Sequence, residues 1–158
     1  MTSLCCKVLS ALKGKTLVTA ESCTGGGIGA ALTAIPGSSE VFKGGVISYT
    51  NWVKRNVLGV DGNLLAREGA VSAKVAQAMA IGARRVLEAD AAVSVTGLAG
   101  PGGDDFGNPV GTVFIGYADG STVQSRGYLF AGNREEIRAQ AVEAALRLVL
   151  EQNPAQTD

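Results

Sequence analysis

Three neighbouring residues, Ser22, Cys23 and Thr24, carry reactive hydroxyl and thiol groups in this chain of 158 residues. They lie where a short apolar strand, predicted over residues 15–20, gives way to a helix predicted over residues 28–35. Unpaired backbone N–H groups and the positive end of a helix dipole favour an anion or a developing oxyanion at such a point. Ser22 could therefore act as a nucleophile, a phosphate ligand or a plain helix N-cap.

A serine nucleophile needs a base, and the chain contains no histidine. This excludes Ser-His-Asp triads, Cys-His pairs and histidine-ligated zinc, and leaves a lysine whose pKa is lowered by burial as the natural partner. Lys54 comes just after a second strand predicted over residues 45–49. Because parallel strands end at the same edge of a sheet, we expect Lys54 near Ser22. The alternative is a solvated surface lysine. Tyr49, at the same strand end, could pack or relay a proton.

Cys23 is the rival nucleophile, because a thiol is intrinsically stronger than a hydroxyl. It could equally be buried as a small apolar group, and we favour Ser22. The chain has three cysteines, of which Cys5 and Cys6 are adjacent, and no Cys-x-x-Cys motif. An odd number of thiols in this arrangement predicts reduced cysteines, a cytoplasmic location and no structural metal.

Glycine accounts for 22 residues and gathers in two patches. The first, residues 25–30, satisfies the G-x-G-x-x-G/A pattern of dinucleotide-binding proteins, but no acidic residue ends the next strand. Close packing of the helix on the sheet is the alternative for these glycines. The second patch, a loop over residues 96–103, lets backbone approach a ligand closely, and we favour a binding role for it.

Two arginines near the start of the last predicted helix could hold an anionic group. Arg134 and Arg138 are four residues apart and therefore lie on adjoining turns. A phosphate cradle and a solvated pair that contacts nearby carboxylates are equally compatible with this spacing. The helix itself is indicated by Asn133 and Glu136, which have the spacing of a capping box.

The remaining pattern predicts the elements that must position these residues. A helix ends at Gly14, and a long helix capped by Ser72 presents Val75, Met79, Ala83 and Val86 as one apolar stripe. An almost unbroken apolar strand over residues 91–96 is typical of a strand covered on both faces. A hairpin follows, with strands over residues 110–118 and 122–130. We therefore predict one α/β domain, a three-layer α/β/α arrangement with a mixed, mostly parallel sheet, over residues 1–152 and a tail over residues 153–158.

Charge and hydropathy narrow the range of partners. Lys and Arg number 14 and Asp and Glu 14, so the formal net charge is zero and no nucleic-acid partner is expected. The longest uncharged stretch, residues 22–39, contains five glycines and Pro36, so no membrane-spanning helix is expected. A homodimer is the default expectation for a small α/β enzyme.

A set of motifs, spread from residue 7 to residue 150, resembles the CinA C-terminal domain family, the nicotinamide-nucleotide amidohydrolases. The two most specific are A-E-S-C-T-G-G at residues 20–26 and T-G-x-A-G-P-G-G at residues 96–103. Tyr49, Asn51, Lys54, and the pair Asn133–Arg134 also match. One departure stands out, because Trp52 and Val53 replace the Glu-Ala pair usual in the family.

The resemblance implies hydrolysis of the carboxamide of nicotinamide mononucleotide to nicotinate mononucleotide and ammonia. We expect Ser22 to attack the carboxamide carbon, with Lys54 as base, Tyr49 assisting proton transfer, and no metal or other cofactor. Backbone N–H groups of Thr24, Gly25 and Gly26 would receive the oxyanion. The expected substrate-binding residues are Thr24, Gly25, Gly26, Asn51, Thr96, Gly97, Gly100, Gly102, Arg134 and Arg138.

Two other function classes remain open on the sequence. A nucleotide-sensing module would keep the glycine loops and Arg134 but would not need an unprotonated Lys54. A dinucleotide-binding protein would bind NAD at least as tightly as the mononucleotide.

Overall fold

A computed structural model describes residues 1–155 of the chain. A five-stranded sheet lies at the centre of this structure. Its strands are β1 (Leu17–Glu21), β2 (Phe42–Ile47), β3 (Ala91–Gly97), β4 (Thr112–Ala118) and β5 (Val123–Leu129). The described helices are α1 (Thr2–Ala11), α2 (Gly27–Thr33), α3 (Asn51–Asn56), α4 (Gly62–Glu68), α5 (Ala73–Val86) and α6 (Arg134–Gln152), with a 3₁₀ turn at Ser38–Glu40.

The spatial order of the strands is β2-β1-β3-β4-β5. Strand β1 pairs in parallel with both β2 and β3, whereas β4 runs antiparallel to β3 and to β5. Four of the five strands therefore point the same way, which confirms the mixed, mostly parallel sheet. The carboxyl ends of β1, β2 and β3 lie together at one edge.

Helices cover both faces of the sheet. One apolar cluster joins α1, α2 and α6 to the side chains of β1, β3 and β4 that alternate toward them. A second cluster joins α4 and α5 to the opposite face, where Val18, Ala20 and Ala92 point. Burial on both faces explains why β3 reads as a nearly continuous apolar run. The three-layer α/β/α arrangement is confirmed.

Capping residues define the helix starts that the sequence indicated. The Ser72 hydroxyl accepts from the N–H of Val75, and Asn133 and Glu136 form a full capping box at the start of α6. Helix α5 packs closely because Gly116 in β4 leaves no side chain in front of the Ala76 carbonyl. Of the predicted apolar stripe on α5, Val75, Met79 and Ala83 are buried. Val86 is exposed, because it ends the helix outside the apolar cluster.

Other details differ from the sequence prediction. Helix α4, capped by Asp61, was not predicted, because seven residues beginning at a glycine give little periodic signal. Strand β2 begins at Phe42 and ends at Ile47, earlier than expected. Asn153, expected in the tail, donates to the Tyr117 hydroxyl at 3.0 Å and to the Val149 carbonyl at 2.9 Å. The last residues of the expected tail, 156–158, lie outside the described residues.

Candidate active site

Ser22 is the first residue beyond β1 and is held in line with the sheet. Its N–H donates to the Val95 carbonyl on β3 at 3.0 Å, and the side chain is largely buried. The next residues leave the strand in a tight turn, closed by the Gly25 N–H, which donates to the Ser22 carbonyl at 3.0 Å. The Ser22 hydroxyl thus lies at the carboxyl edge of the sheet on backbone that the neighbouring strand fixes.

Lys54 lies on the second turn of α3, and its amine reaches the Ser22 hydroxyl. The distance from Nζ to Ser22 Oγ is 3.0 Å, and Nζ also donates to the Ser48 carbonyl at 2.7 Å. The Lys54 side chain is 1% exposed. Burial lowers its pKa from 10.5 to about 8, against a smaller opposing effect of the neighbouring Cys23 thiol. The surface-lysine alternative is therefore wrong, and Ser22 and Lys54 form a buried dyad.

Cys23 is next to the dyad but is not part of it. The Lys54 amine makes its hydrogen bond to Ser22, and the thiol packs with the apolar cluster beneath α6. Burial raises the pKa of Cys23 to about 11. Because the thiolate is the nucleophilic form, this environment makes Cys23 a weak nucleophile near neutral pH.

Glu21, which the sequence analysis did not single out, organises the far side of the turn. Its carboxylate accepts from the N–H groups of Ile28 at 2.8 Å and Gly29 at 3.0 Å. It also accepts from the hydroxyls of Thr24 at 2.7 Å and Thr19 at 3.2 Å, and is 2% exposed. The start of α2 is therefore filled by a side chain of the protein itself, which leaves no place there for a pyrophosphate.

The glycines of the first patch serve the turn and its packing. Gly25 and Gly26 have φ of 59° and 102°, a region that glycine enters readily. A Cβ on Gly27 would lie 3.0 Å from Val142, so this glycine allows α2 to approach α6. The close-packing interpretation accounts for this patch better than the dinucleotide fingerprint does.

The expected oxyanion donors are not equivalent. The Gly25 N–H is already bound to the Ser22 carbonyl, whereas those of Thr24 and Gly26 donate to no acceptor in the described part of the chain. None of these three residues lines the cavity in front of the dyad, whereas Cys23 does. Thr24 comes directly after Cys23, so it is the one of the three that lies next to a cavity residue in the chain.

A cavity of about 350 Å³ opens in front of the dyad. Its lining residues are Ser22, Cys23, Tyr49, Asn51, Lys54, Ala70, Val71, Thr96, Gly97, Leu98, Ala99, Gly100, Gly102 and Arg134. The lining contains two cations and no carboxylate, which favours an anionic ligand. Seven predicted substrate-binding or catalytic residues thus lie around the Ser22–Lys54 dyad here, namely Tyr49, Asn51, Thr96, Gly97, Gly100, Gly102 and Arg134.

The residues of the second glycine patch have different structural roles. The Thr96 hydroxyl donates to the Ala70 carbonyl at 2.7 Å and joins two walls of the cavity. A Cβ on Gly97 would lie 2.7 Å from a Val113 methyl, so that glycine is required by strand packing. Gly100 has φ of 97°, whereas nothing lies within 4 Å of the Cβ position of Gly102.

Arg134 bridges the mouth of the cavity. One guanidinium nitrogen donates to the Gly100 carbonyl at 2.7 Å and another to the Tyr49 hydroxyl at 3.3 Å. Tyr49 is 59% exposed, and no hydrogen bond joins it to Ser22 or Lys54 within residues 1–155. The structure thus gives Tyr49 a place in the rim, and the expected proton relay is not formed in this conformation.

Arg138 does not reach the cavity. Its Nε donates to the Cys23 carbonyl at 3.0 Å and a terminal nitrogen donates to the Thr24 carbonyl at 3.2 Å. The pair expected from the sequence is therefore split. Arg134 faces the cavity, whereas Arg138 binds the turn formed by residues 22–25, called the nucleophile turn below after the expected role of Ser22.

The described residues contain neither a cluster of metal-binding side chains nor a membrane-spanning helix. No group of three or more His, Cys, Asp or Glu side chains is placed to hold a metal ion. No helix within residues 1–155 is long and apolar enough to cross a membrane.

Comparison with known proteins places this geometry in a family. A profile of the CinA C-terminal domain matches residues 2–153. A CinA-like protein of Synechococcus sp. is 53% identical over 93% of this chain and 36% of its own length, and one of Geobacter metallireducens is 53% identical over 79% and 30%. The chain thus spans about a third of the length of the curated relatives it matches.

Solved structures match over nearly their full length. A competence/damage-inducible protein CihA of Agrobacterium tumefaciens has a TM-score of 0.92 and 40% identity, covering 96% of this chain and 94% of that one. The competence damage-inducible protein A of Klebsiella pneumoniae has a TM-score of 0.93 and 38% identity, covering 96% and 95%. The chain therefore belongs to the CinA C-terminal domain family.

Proposed function

We propose that this chain is an amidohydrolase that converts nicotinamide mononucleotide to nicotinate mononucleotide and ammonia. The observation that carries the proposal is the 3.0 Å contact between the Lys54 amine and the Ser22 hydroxyl at the wall of a cavity that contains no carboxylate. With a pKa of about 8, a substantial fraction of Lys54 is neutral near physiological pH. Such an amine can act as a general base, as a solvated lysine could not.

The reaction begins with attack by Ser22. Its O–H proton passes to the neutral Lys54 amine while Oγ bonds to the carboxamide carbon and the carbonyl electron pair moves onto oxygen. The intermediate collapses when the C–N bond breaks, and the Lys54 ammonium returns a proton to the leaving nitrogen as ammonia. Water then gives a proton to the same amine and attacks the acyl carbon. The bond to Ser22 Oγ breaks, the Lys54 ammonium returns the proton to Oγ, and the acid product leaves as the carboxylate after losing its own proton to solvent.

The hydrogen bond at the Ser48 carbonyl keeps the amine in place through this cycle. A lysine has three N–H donors when charged and two when neutral, and one of them stays on Ser48. The contact with Ser22 reverses direction: the ammonium donates to Oγ, whereas the neutral amine accepts from the hydroxyl. Catalysis therefore needs no movement of the lysine stem.

Arg134 is our proposed ligand for the substrate phosphate. It is the cation of the cavity lining that lies at the mouth, while Lys54 lies deep beside the nucleophile. Two of its guanidinium nitrogens bind the cavity rim, and the planar group still has N–H donors to offer a phosphate. Asn51, Thr96 and the backbone of the second glycine patch complete the proposed binding surface.

The test is ammonia release from nicotinamide mononucleotide by the purified protein in EDTA. We expect turnover that Ser22→Ala and Lys54→Met abolish and Cys23→Ala retains. Loss of turnover in EDTA would contradict a metal-independent reaction. Tight binding of the mononucleotide by the unmutated protein without turnover would instead establish a sensing module, and tighter binding of NAD would favour a dinucleotide-binding protein.

Two further expectations belong to the same proposal. The three free cysteines are consistent with a reducing cytoplasm as the place of the reaction. The expected homodimer stays a prediction, which light scattering of the purified protein tests directly.

A further inference from the structure

Arg138 binds the backbone of the nucleophile turn from outside the cavity. Its two hydrogen bonds end on the carbonyl oxygens of Cys23 and Thr24, at 3.0 and 3.2 Å. Among the described residues its guanidinium forms no salt bridge with a carboxylate. A full positive charge is therefore directed at two peptide carbonyls that follow Ser22 in the chain.

The packing of α6 builds this contact into the fold. A Cβ on Gly25 would lie 3.6 Å from an Arg138 nitrogen, and one turn further along the helix Val142 lies against Gly27. At this distance the Cβ position of Gly25 is in van der Waals contact with the guanidinium. The face of α6 that carries Arg138 and Val142 thus lies directly on the turn.

Because the peptide group is planar and conjugated, a cation bound to its carbonyl oxygen also affects the N–H on its opposite side. The Cys23 carbonyl and the Thr24 N–H belong to one trans peptide unit, so they point in opposite directions. A cation that binds the carbonyl draws electrons toward that oxygen and makes the N–H a stronger donor, because linked hydrogen bonds polarise one another. The Thr24 N–H donates to no acceptor in the described residues, and the preceding residue, Cys23, lines the cavity.

We infer that Arg138 is a positioning residue: it orients and polarises the Cys23–Thr24 peptide so that the Thr24 N–H binds the oxyanion formed when Ser22 attacks. The inference rests on the proposed amidohydrolase function and goes beyond it, because it assigns Arg138 to stabilisation of the transition state instead of to the phosphate. The Gly25 N–H does not compete for this role, since it is bound to the Ser22 carbonyl.

The kinetic test compares Arg138→Lys, Arg138→Gln and Arg138→Ala with the parent protein. We expect kcat to fall about 10- to 100-fold in Arg138→Gln with KM for nicotinamide mononucleotide within about twofold, because only the transition state carries the oxyanion. Arg138→Lys keeps the charge and should lose less. Millimolar guanidinium should restore part of the turnover of Arg138→Ala.

Arg147→Lys is the matched control, because Arg147 lies on the same helix and its bonds go to Glu143 at the surface. It should leave kcat and KM unchanged. A raised KM with unchanged kcat in Arg138→Gln would show a phosphate ligand and overturn the inference. Unchanged kinetics in all three Arg138 variants would also overturn it.

A second readout needs no turnover. In the Ser22→Ala background, the amide proton resonance of Thr24 should move upfield when Arg138 is replaced by Gln, as expected for a less polarised N–H, and stay in place in Arg147→Lys. An unmoved Thr24 resonance would contradict the inference. If the parent protein releases no ammonia from nicotinamide mononucleotide, the proposed function fails, and this resonance still decides whether Arg138 polarises the peptide.

Discussion

Ser22 and Lys54 are 32 residues apart in the chain, and their side chains meet at 3.0 Å with the amine almost fully shielded from water. Burial without a carboxylate partner favours the neutral amine, which is the form that can take the serine proton. The same burial that makes Lys54 reactive makes its charged form costly, so activity and stability should depend on pH in linked ways.

The first prediction concerns the pH dependence of turnover. Because Lys54 must be neutral to act as a base and its pKa is about 8, kcat/KM should rise with pH through this value and level off above it. The measurement is ammonia release between pH 6.5 and 10. A profile that is flat from about pH 7 to 9 would contradict a lysine base.

The second prediction is that Lys54→Met inactivates the protein and stabilises it. Lowering the pKa from 10.5 to about 8 means that burying the charged amine costs about 3 kcal/mol, a cost that the methionine removes. The variant also loses the hydrogen bond to the Ser48 carbonyl, which offsets about 1 kcal/mol of that gain. At pH 7 we expect the free energy of unfolding to rise by about 2 kcal/mol.

The sign of this effect fixes its pH window. Between pH 8 and 10.5 the unfolded chain binds the Lys54 proton and the folded chain does not, so the parent protein gains stability as pH rises through that range. The advantage of Lys54→Met should therefore shrink from pH 7 to pH 10.5 in urea titrations. Lys13→Met, at an exposed position on the surface, is the control and should show no such trend.

The third prediction is that Tyr49→Phe keeps most of the turnover. The Tyr49 hydroxyl accepts from Arg134 and does not contact the dyad, so its removal should change kcat by less than about threefold. A group that transfers protons in the reaction contributes about 100-fold or more. A loss of that size in single-turnover kinetics would restore Tyr49 as a proton relay, in agreement with the sequence-based expectation.

The fourth prediction separates phosphate binding from chemistry. Arg134→Leu should raise KM for nicotinamide mononucleotide about 10- to 100-fold, the equivalent of one charge-assisted hydrogen bond. The same variant should treat nicotinamide riboside, which lacks the phosphate, almost as the parent protein does. Equal losses on the two substrates would show that Arg134 acts on the cavity walls through Gly100 and Tyr49 rather than on the phosphate.

The fifth prediction concerns Glu21. In Glu21→Gln an amide NH₂ replaces one carboxylate oxygen and faces a donor, either the Ile28 N–H with the Thr24 hydroxyl or the Gly29 N–H. Leaving buried donors unpaired should lower the free energy of unfolding by about 1–3 kcal/mol. Glu135→Gln, at an exposed position on the first turn of α6, should change it far less. Equal stability of the two variants would mean that the Glu21 network is dispensable.

Sequence reasoning could bring Ser22 and Lys54 together because that step needed only strand order. Both residues follow parallel strands, and β1 and β2 are neighbours in the sheet, so their carboxyl ends coincide. The capping box of α6 and the apolar strand β3 were readable for a similar reason, since each is a local pattern.

What the sequence could not show depends on contacts between distant elements. Arg138 lies 115 residues from Cys23, and only the packing of α6 on the nucleophile turn reveals that its partners are backbone carbonyls. Every residue has a backbone carbonyl, so the residue types in the sequence do not reveal which carbonyl an arginine will bind. Glu21 did carry a signal, a carboxylate six residues before the start of α2, but its meaning depended on how the turn folds back to bring the Ile28 N–H to it.

The order of the elements along the chain has a consequence for biosynthesis. Ser22 and Lys54, with the strands that precede them, are synthesised before α6, and folding generally proceeds from the amino terminus as synthesis advances. The guanidinium groups that reach Gly100, Tyr49, Cys23 and Thr24 belong to α6 and are added well after the Ser22–Lys54 pair. A nascent chain thus contains this pair before the two arginines can complete the site, and under the proposed function hydrolysis has to await the synthesis of α6.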